Sequence, residues 1–204
     1  MNSSVTAENL ACTRGERRLF ADLSFRVEQG SALAITGANG VGKTSLLRLI
    51  AGFIAPSCGV VRLAAGDREI TDAEGRGKQI GWLGHQDGLK AHLTAAEQLT
   101  FFAGLYGAAP VIAPALESVG LARQGDLPCR YLSAGQKKRL ALVQLKISRR
   151  PLWLLDEPLA ALDGEGKRLA AAMIAQHCAE GGIVLAATHE PLGIEAATLT
   201  LGAA

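Results

Sequence analysis

The sequence lacks a strong charge imbalance, a dense set of cysteines and any long apolar run. Lys and Arg total 21 against 19 for Asp and Glu, and this balance predicts no role in coating nucleic acid. The 4 cysteines lie far apart without metal-ligand spacing, which favours reduced thiols in a cytoplasmic protein. With 49% hydrophobic residues, the 204-residue chain can bury a globular core.

Neither a membrane span nor a secretory leader is predicted. Residues 98–116 carry no formal charge, but glycine and proline interrupt them. A spanning helix needs roughly 20 consecutive apolar residues, so this stretch does not qualify. Residues 1–10 lack a basic region followed by an apolar run, which argues against a signal peptide.

Short apolar segments separated by glycine predict an α/β fold. Strands are expected at residues 5–12, 23–27, 31–36, 59–63, 80–83, 152–155 and 183–188. Helices are expected at residues 43–51, 94–106, 133–149 and 165–179, with a surface loop at 67–78. Thr94 with Glu97, and Ser133 with Gln136, have the spacing of a capping box that begins a helix.

Residues 37–44 read GANGVGKT and match the phosphate-binding pattern G-x-x-x-x-G-K-[S/T] between a predicted strand and a predicted helix. Glycines let successive backbone N–H groups converge on phosphate oxygens, and the helix N-terminus adds a partial positive charge. We expect Lys43 to reach the outer phosphates and the Thr44 hydroxyl to bind Mg²⁺. The predicted nucleotide-binding residues are Gly37, Ala38, Asn39, Gly40, Val41, Gly42, Lys43, Thr44 and Ser45.

An acidic pair, Asp156 and Glu157, follows the apolar segment at residues 152–155. At the carboxyl end of a parallel strand, one carboxylate can hold a metal ion while the next polarises a water molecule. We therefore predict that Asp156 is a metal ligand and that Glu157 is the general base.

Residues 132–136, LSAGQ, lie between the phosphate loop and the acidic pair and resemble the signature of the ABC-transporter ATPase family. Gln86 matches the Q-loop of that family, residues 158–163 match its D-loop, and His189 matches its switch histidine. The resemblance covers essentially the whole chain and implies ATP as substrate with Mg²⁺ as cofactor. It implies one P-loop NTPase domain over residues 1–204. This domain would have a RecA-like parallel sheet core, an antiparallel N-terminal β subdomain and a helical signature subdomain at about residues 94–150.

The resemblance also assigns roles to individual residues. It implies a homodimer in which each ATP lies between the phosphate loop of one subunit and the signature of the other. The implied catalytic residues are Glu157, His189 and Gln86. The implied metal ligands are Thr44, Gln86 and Asp156. The further implied nucleotide-binding residues are Ser133, Ala134, Gly135, Gln136 and Asp163, of which Ser133, Gly135 and Asp163 would act across the dimer interface.

The sequence departs from the family pattern at two places. Ala134 stands where the signature usually has glycine, but the residue stays small enough for phosphate to approach. No aromatic residue stands near Arg14, where the family usually places one to stack on adenine. Arg14 either stacks its guanidinium on the base or is a solvated surface residue.

Within the family, residues 84–90, 132–136 and 153–163 and the short chain most resemble the ATPase subunits of cytochrome c maturation, or heme exporter, systems. This implies separate transmembrane permease subunits, heme-handling partner proteins and a peripheral location on the cytoplasmic face of the inner membrane. ATP hydrolysis would drive either heme export or the release of a heme-loaded carrier.

Three alternatives remain. An ABC exporter for another substrate would use the same residues. A soluble ABC ATPase generally needs paired cassettes or a long coiled-coil insertion, for which this chain is too short. A GTPase or small-molecule kinase would leave the signature and His189 unexplained.

Overall fold

The computed structural model describes residues 3–66, 68–108 and 111–202, which form two β-sheets and six α-helices. The strands are β1 (Ser4–Arg14), β2 (Arg17–Glu28), β3 (Ala32–Thr36), β4 (Cys58–Ala65), β5 (Arg68–Ile70), β6 (Ile80–Leu83), β7 (Leu152–Asp156), β8 (Ile183–Ala187) and β9 (Ala197–Thr200). The α-helices are α1 (Lys43–Ala51), α2 (Ala73–Gln79), α3 (Ala95–Leu105), α4 (Ile112–Glu117), α5 (Ala134–Ser148) and α6 (Gly164–Ala179). Short 3-10 helices lie at Ala122–Gln124 and Cys129–Tyr131.

The larger sheet is parallel, with the strand order β6-β7-β8-β3-β9. Every residue of β7 and β8 is buried, because the sheet is covered on both faces. Leu185 and Ala187 pack into one core cluster, while Val184 and Ala186 pack into another on the opposite face. The continuous apolar runs in the sequence therefore belong to strands without a solvent-facing side.

The smaller sheet is antiparallel, with the order β2-β1-β4-β5. Helix α1 lies between the two sheets, since Leu46 and Leu47 share a core cluster with Leu10 of β1 and Ile35 of β3. This packing fixes the beginning of α1, and with it the preceding loop, against the end of β3. The predicted combination of a parallel core and an antiparallel N-terminal sheet is confirmed.

Helices α3, α4 and α5 enclose a third apolar cluster that includes Leu99, Leu121 and Leu140. The two predicted capping boxes are present at Thr94 and Ser133, each with both reciprocal hydrogen bonds. These bonds satisfy backbone N–H groups that a helix N-terminus would otherwise leave without partners. The assignment of residues 94–150 as an inserted subdomain stays a prediction.

The prediction of a surface loop at residues 67–78 is wrong for most of that segment. It contains β5 and α2, while Asp67 lies outside the described residues. The Asp72 side chain caps α2 by accepting a hydrogen bond of 2.7 Å from Gly75 N. Two glycines give α2 a weak intrinsic preference for helix, so the sequence pattern favoured a loop.

Tertiary hydrogen bonds hold α2 in place. Arg76 donates to the carbonyl oxygens of Ile50 and Val61, at 3.2 and 2.9 Å. Strand β9 and helix α4 were also not predicted, and both are too short to show a clear period. No helix in the described part of the chain is long and apolar enough to cross a membrane.

Candidate functional site

A cleft of about 990 Å³ opens where β3 and β7 end. Parallel strands present their carboxyl ends at one edge of the sheet, which is the usual place for a ligand in such folds. Ten of the predicted site residues line it: Asn39, Gly40, Gly42, Lys43, Thr44, Ser45, Gln86, Asp156, Glu157 and His189. The structure thus gathers four separate segments of the chain into one cavity.

The phosphate loop requires glycine at two positions. Gly37 has φ 136°, and a Cβ atom there would lie 2.5 Å from the carbonyl oxygen of Leu201. Gly42 has φ 114°, and a Cβ atom there would lie 3.1 Å from Leu19 Cβ. Both positions combine a left-handed backbone with close packing, so any side chain would displace the loop. Val41 is buried beneath the loop and Ala38 is exposed.

Lys43, the first residue of α1, is only 8% exposed. Its Nζ donates hydrogen bonds to the carbonyl oxygens of Gly37 and Ala38, at 2.8 and 3.2 Å. It also lies 3.0 Å from His189 Nε2, which accepts because an ammonium group can only donate. The Lys43 ammonium is therefore held within the loop that should receive phosphate.

Thr44 and Asp156 form the second contact of the cleft. The Thr44 hydroxyl lies 3.1 and 3.0 Å from the two carboxylate oxygens of Asp156, which is only 5% exposed. A hydroxyl and a carboxylate are the hard oxygen ligands that Mg²⁺ prefers, and the pair fits such an ion. No group of three or more His, Cys, Asp or Glu in the described residues could hold a metal. Nucleotide phosphates and water would supply the other ligands.

Glu157 and His189 lie next to this pair. Glu157 has φ 50°, a left-handed conformation that costs energy for any residue with a side chain and is often found at functional sites. Its N–H donates to the Ala187 carbonyl at 2.9 Å, which anchors the turn after β7. His189 Nε2 is 3.5 Å from Glu157 Oε1. A carboxylate beside a histidine can accept a proton from an attacking water molecule.

The signature residues are not part of this cleft. Ser133, Ala134, Gly135, Gln136 and Asp163 are all absent from its lining. Ser133 and Ala134 are exposed, and Gln136 bonds to Ser133 within the capping box.

Two further contacts fix the surface around the signature. A Cβ atom on Gly135 would lie 2.8 Å from the Ala161 carbonyl, so the signature packs directly against the segment before α6. Asp163 caps α6 by accepting a 2.7 Å hydrogen bond from Gly166 N. One chain therefore carries two separate sets of the predicted nucleotide contacts.

One charged contact near the site was not predicted from the sequence. Lys138 Nζ lies 3.1 Å from Asp87 Oδ1, and these side chains are 7% and 19% exposed. In the sequence Lys138 belongs to a basic run at residues 137–139, which resembles a solvated patch. Its spacing from Ala141 and Leu145, at i+3 and i+7, was the available signal that it faces the interior.

Arg14, for which the sequence left open base stacking or solvation, lines the cleft together with an aromatic residue that was not predicted there. Arg14 and Leu19 line the cleft, while Trp82 supplies an aromatic surface from the end of β6. Arg14 itself is exposed.

The family model and the relatives that this chain resembles all point to one family. A family model described as ABC transporter matches residues 20–160. The chain is 49% identical over 201 residues to the cytochrome c biogenesis ATP-binding export protein CcmA of Rhodopseudomonas palustris (strain BisB18), covering 98% of each chain. It is 48% identical over 203 residues to the CcmA protein of Nitrobacter hamburgensis, covering 97% of this chain and 98% of the relative.

Solved structures show the same fold. An ABC transporter ATP-binding protein from Pyrococcus furiosus superposes with a TM-score of 0.83 at 22% identity and 97% coverage of both chains. CbiO1 from Clostridium perfringens, part of the ABC transporter complex cbiONQ, gives a TM-score of 0.74 at 25% identity. That match covers 91% of this chain and 78% of CbiO1.

Proposed function

Because the chain belongs to the ABC transporter family, we propose that it is the ATP-hydrolysing, energy-coupling subunit of a membrane complex for c-type cytochrome biogenesis. The observation that carries the ATPase function is the contact of Thr44 with Asp156 in the same cleft as Lys43, Glu157 and His189. Relatives that match nearly the whole chain and are named for cytochrome c biogenesis support the assignment to that system.

Each side chain in the cleft has a distinct task in this proposal. Lys43 and the backbone N–H groups of residues 37–45 bind the phosphates of ATP. Thr44 and Asp156, with Gln86 at the same cleft, would hold Mg²⁺, which neutralises charge on the phosphate oxygens. Glu157 accepts the proton of the attacking water molecule, and His189, whose Nε2 lies 3.5 Å from Glu157 Oε1, is close enough to orient that water.

The active unit in this proposal is a homodimer. The exposed signature residues Ser133 and Ala134 do not line the cleft of their own chain, and in this proposal they face the cleft of a second copy. Ser133 caps α5, so its backbone lies at the positive end of a helix, where an anion is favourable. Asp163 lies beside the signature segment and would act across the same interface.

The membrane-embedded part of the complex would be a separate permease, with heme-handling proteins bound through it. Large apolar side chains remain exposed on the described surface, among them Phe53 at 63%, Leu105 at 64% and Phe101 at 47%. Such side chains suit contact with a membrane subunit better than contact with water. We therefore place the chain peripherally on the cytoplasmic face of the inner membrane.

The test is purification of the tagged chain from detergent-solubilised membranes, with identification of bound proteins, heme spectroscopy and an ATPase assay. We expect a permease, heme-handling proteins and ATP hydrolysis that Lys43→Ala abolishes. A different permease with intact ATPase activity would retain the transporter role and exclude the cytochrome assignment. Absence of ATP hydrolysis by the intact complex would contradict the proposed function.

A further inference from the structure

A partly buried ion pair joins the loop that carries Gln86 to helix α5, which begins at the signature. Asp87, the residue after Gln86, lies 3.1 Å from the Lys138 ammonium. Asp87 Oδ1 accepts no hydrogen bond of good geometry in the described structure, so the attraction between the two groups is mainly ionic. Moving the loop away from the helix would leave each charge without its partner and shielded from water, which is unfavourable. The ion pair therefore holds the loop against α5.

The same loop has a second polar connection to α5. Lys90 N donates to Gln98 Oε1 at 3.0 Å, and Gln98 Nε2 donates to Gln144 Oε1 at 2.6 Å. Gln98 and Gln144 are almost completely buried, at 0% and 7% exposure. Buried amides of this kind fix the relative position of the elements that they join.

Backbone hydrogen bonds complete the connection. Arg130 N donates to the Ala91 carbonyl at 3.0 Å, and Cys129 N donates to the Leu93 carbonyl at 2.8 Å. Cys129 and Arg130 lie in the short helix that leads directly into the signature. The loop after Gln86 and the signature are thus held to each other on both the side-chain and the backbone level.

We propose that Asp87 is a positioning residue, which through Lys138 links the placement of Gln86 in one nucleotide cleft to the placement of the Ser133 signature. Gln86 lines the cleft, whereas Asp87 does not, so Asp87 acts without touching the nucleotide. The ion pair is the link nearest to Gln86 along the chain. This proposal rests on the ATPase function proposed above and adds one element of its regulation.

The test compares variants in the assembled complex by steady-state ATP hydrolysis and by ATP binding to the same preparation. Lys138→Met removes the pair while an apolar side chain of similar length fills the buried site. Asp87→Lys combined with Lys138→Asp reverses the pair. Lys78→Met is the matched control, because it breaks an exposed ion pair with Glu74 whose side chains are 64% and 78% exposed.

We expect Lys138→Met to lower kcat by about 3- to 30-fold, the range typical of residues that couple two sites. The Kd for ATP should stay within about twofold, because no phosphate contact is altered. The reversed pair should recover most of kcat, and the control should match the unmodified complex. A lysine that acted independently of Asp87 would not give this recovery, and a general loss of stability would weaken ATP binding together with kcat.

Two results would overturn the proposal. One is an unchanged kcat in Lys138→Met. The other is a folded, reversed-pair complex that is as slow as Lys138→Met. If the unmodified complex hydrolyses no ATP, the ATPase function itself fails, and the two failures are distinguished by that single reference measurement.

Discussion

Glu157 lies beside His189 in a backbone conformation that few residues with side chains adopt. If its carboxylate is the general base, Glu157→Gln should lower kcat by roughly 10²- to 10⁴-fold, since the amide cannot accept the proton. ATP binding should persist because Lys43 and Thr44 are unchanged. The measurement is kcat together with the Kd for ATP, and Glu117→Gln at an exposed site serves as control. Hydrolysis at the rate of the unmodified chain would refute the assignment.

His177 gives a residue-scale prediction about pH. Its ring stacks on Trp153 with centroids 3.9 Å apart, and Nε2 donates to the Pro151 carbonyl at 3.2 Å. Burial lowers the pKa of His177 below its ordinary value of 6.5, partly offset by the bond to Pro151. The unfolded chain therefore binds a proton at a higher pH than the folded chain.

The consequence is a stability contribution that is present above the ordinary pKa of histidine and lost as pH falls below it. His177→Phe keeps an aromatic ring against Trp153 but cannot titrate. We expect its urea midpoint to fall less between about pH 7.5 and pH 5.5 than that of the unmodified chain. If the urea midpoints of the two proteins fell equally over this pH range, His177 would bind protons to the same extent in the folded and the unfolded chain.

Individual residues could be predicted from the sequence where the chemistry of phosphate binding allows only certain residue types. The loop glycines, Lys43 and Thr44 follow from the geometry of phosphate binding, and the structure gathers most of them into the cleft. The contact of Asp87 with Lys138 could not be predicted in this way. It joins residues 51 positions apart, and no local pattern specifies which buried charge meets which partner.

At the scale of helices, the two capping boxes offer a matched comparison. Ser133→Ala and Thr94→Ala each remove one side-chain acceptor from a helix N-terminus, and each should cost about 1 kcal/mol of stability. Only Ser133 belongs to the signature, so only Ser133→Ala should also reduce kcat beyond the effect of instability. Unfolding midpoints and ATPase rates measured on both variants decide this. Equal rates in the two variants would contradict a role of Ser133 at the nucleotide.

Elements with strong local signals were predictable from the sequence, and elements that depend on partners were not. The start of α5 was fixed by Ser133 and Gln136, and the buried strands by their apolar runs. Helix α2 depends on bonds from Arg76 to two other elements, which no window of sequence contains. Strand β9 has only four residues and gains its hydrogen bonds by pairing with β3.

At the scale of the whole molecule, the proposed homodimer predicts that two defective chains can complement each other. Lys43→Ala disables the cleft of its own chain, while Ser133→Ala disables the signature that its chain offers to the partner. A mixed dimer would carry both defects at one site and leave the other intact. We expect co-expressed variants to regain up to about a quarter of the full ATPase rate, well above the sum of the separate rates. No gain on co-expression would contradict a shared site.

The strand that ends in the phosphate loop lies between β8 and β9, and Gly37 packs against the carbonyl of Leu201. Residues 37–45 leave the ribosome well before β8 and β9, the strands on both sides of β3. A growing chain therefore has the loop sequence long before it has the neighbours that hold the loop. We expect nucleotide binding only after β8 and β9 have been made, so translation products that stop before β8 would not compete for ATP.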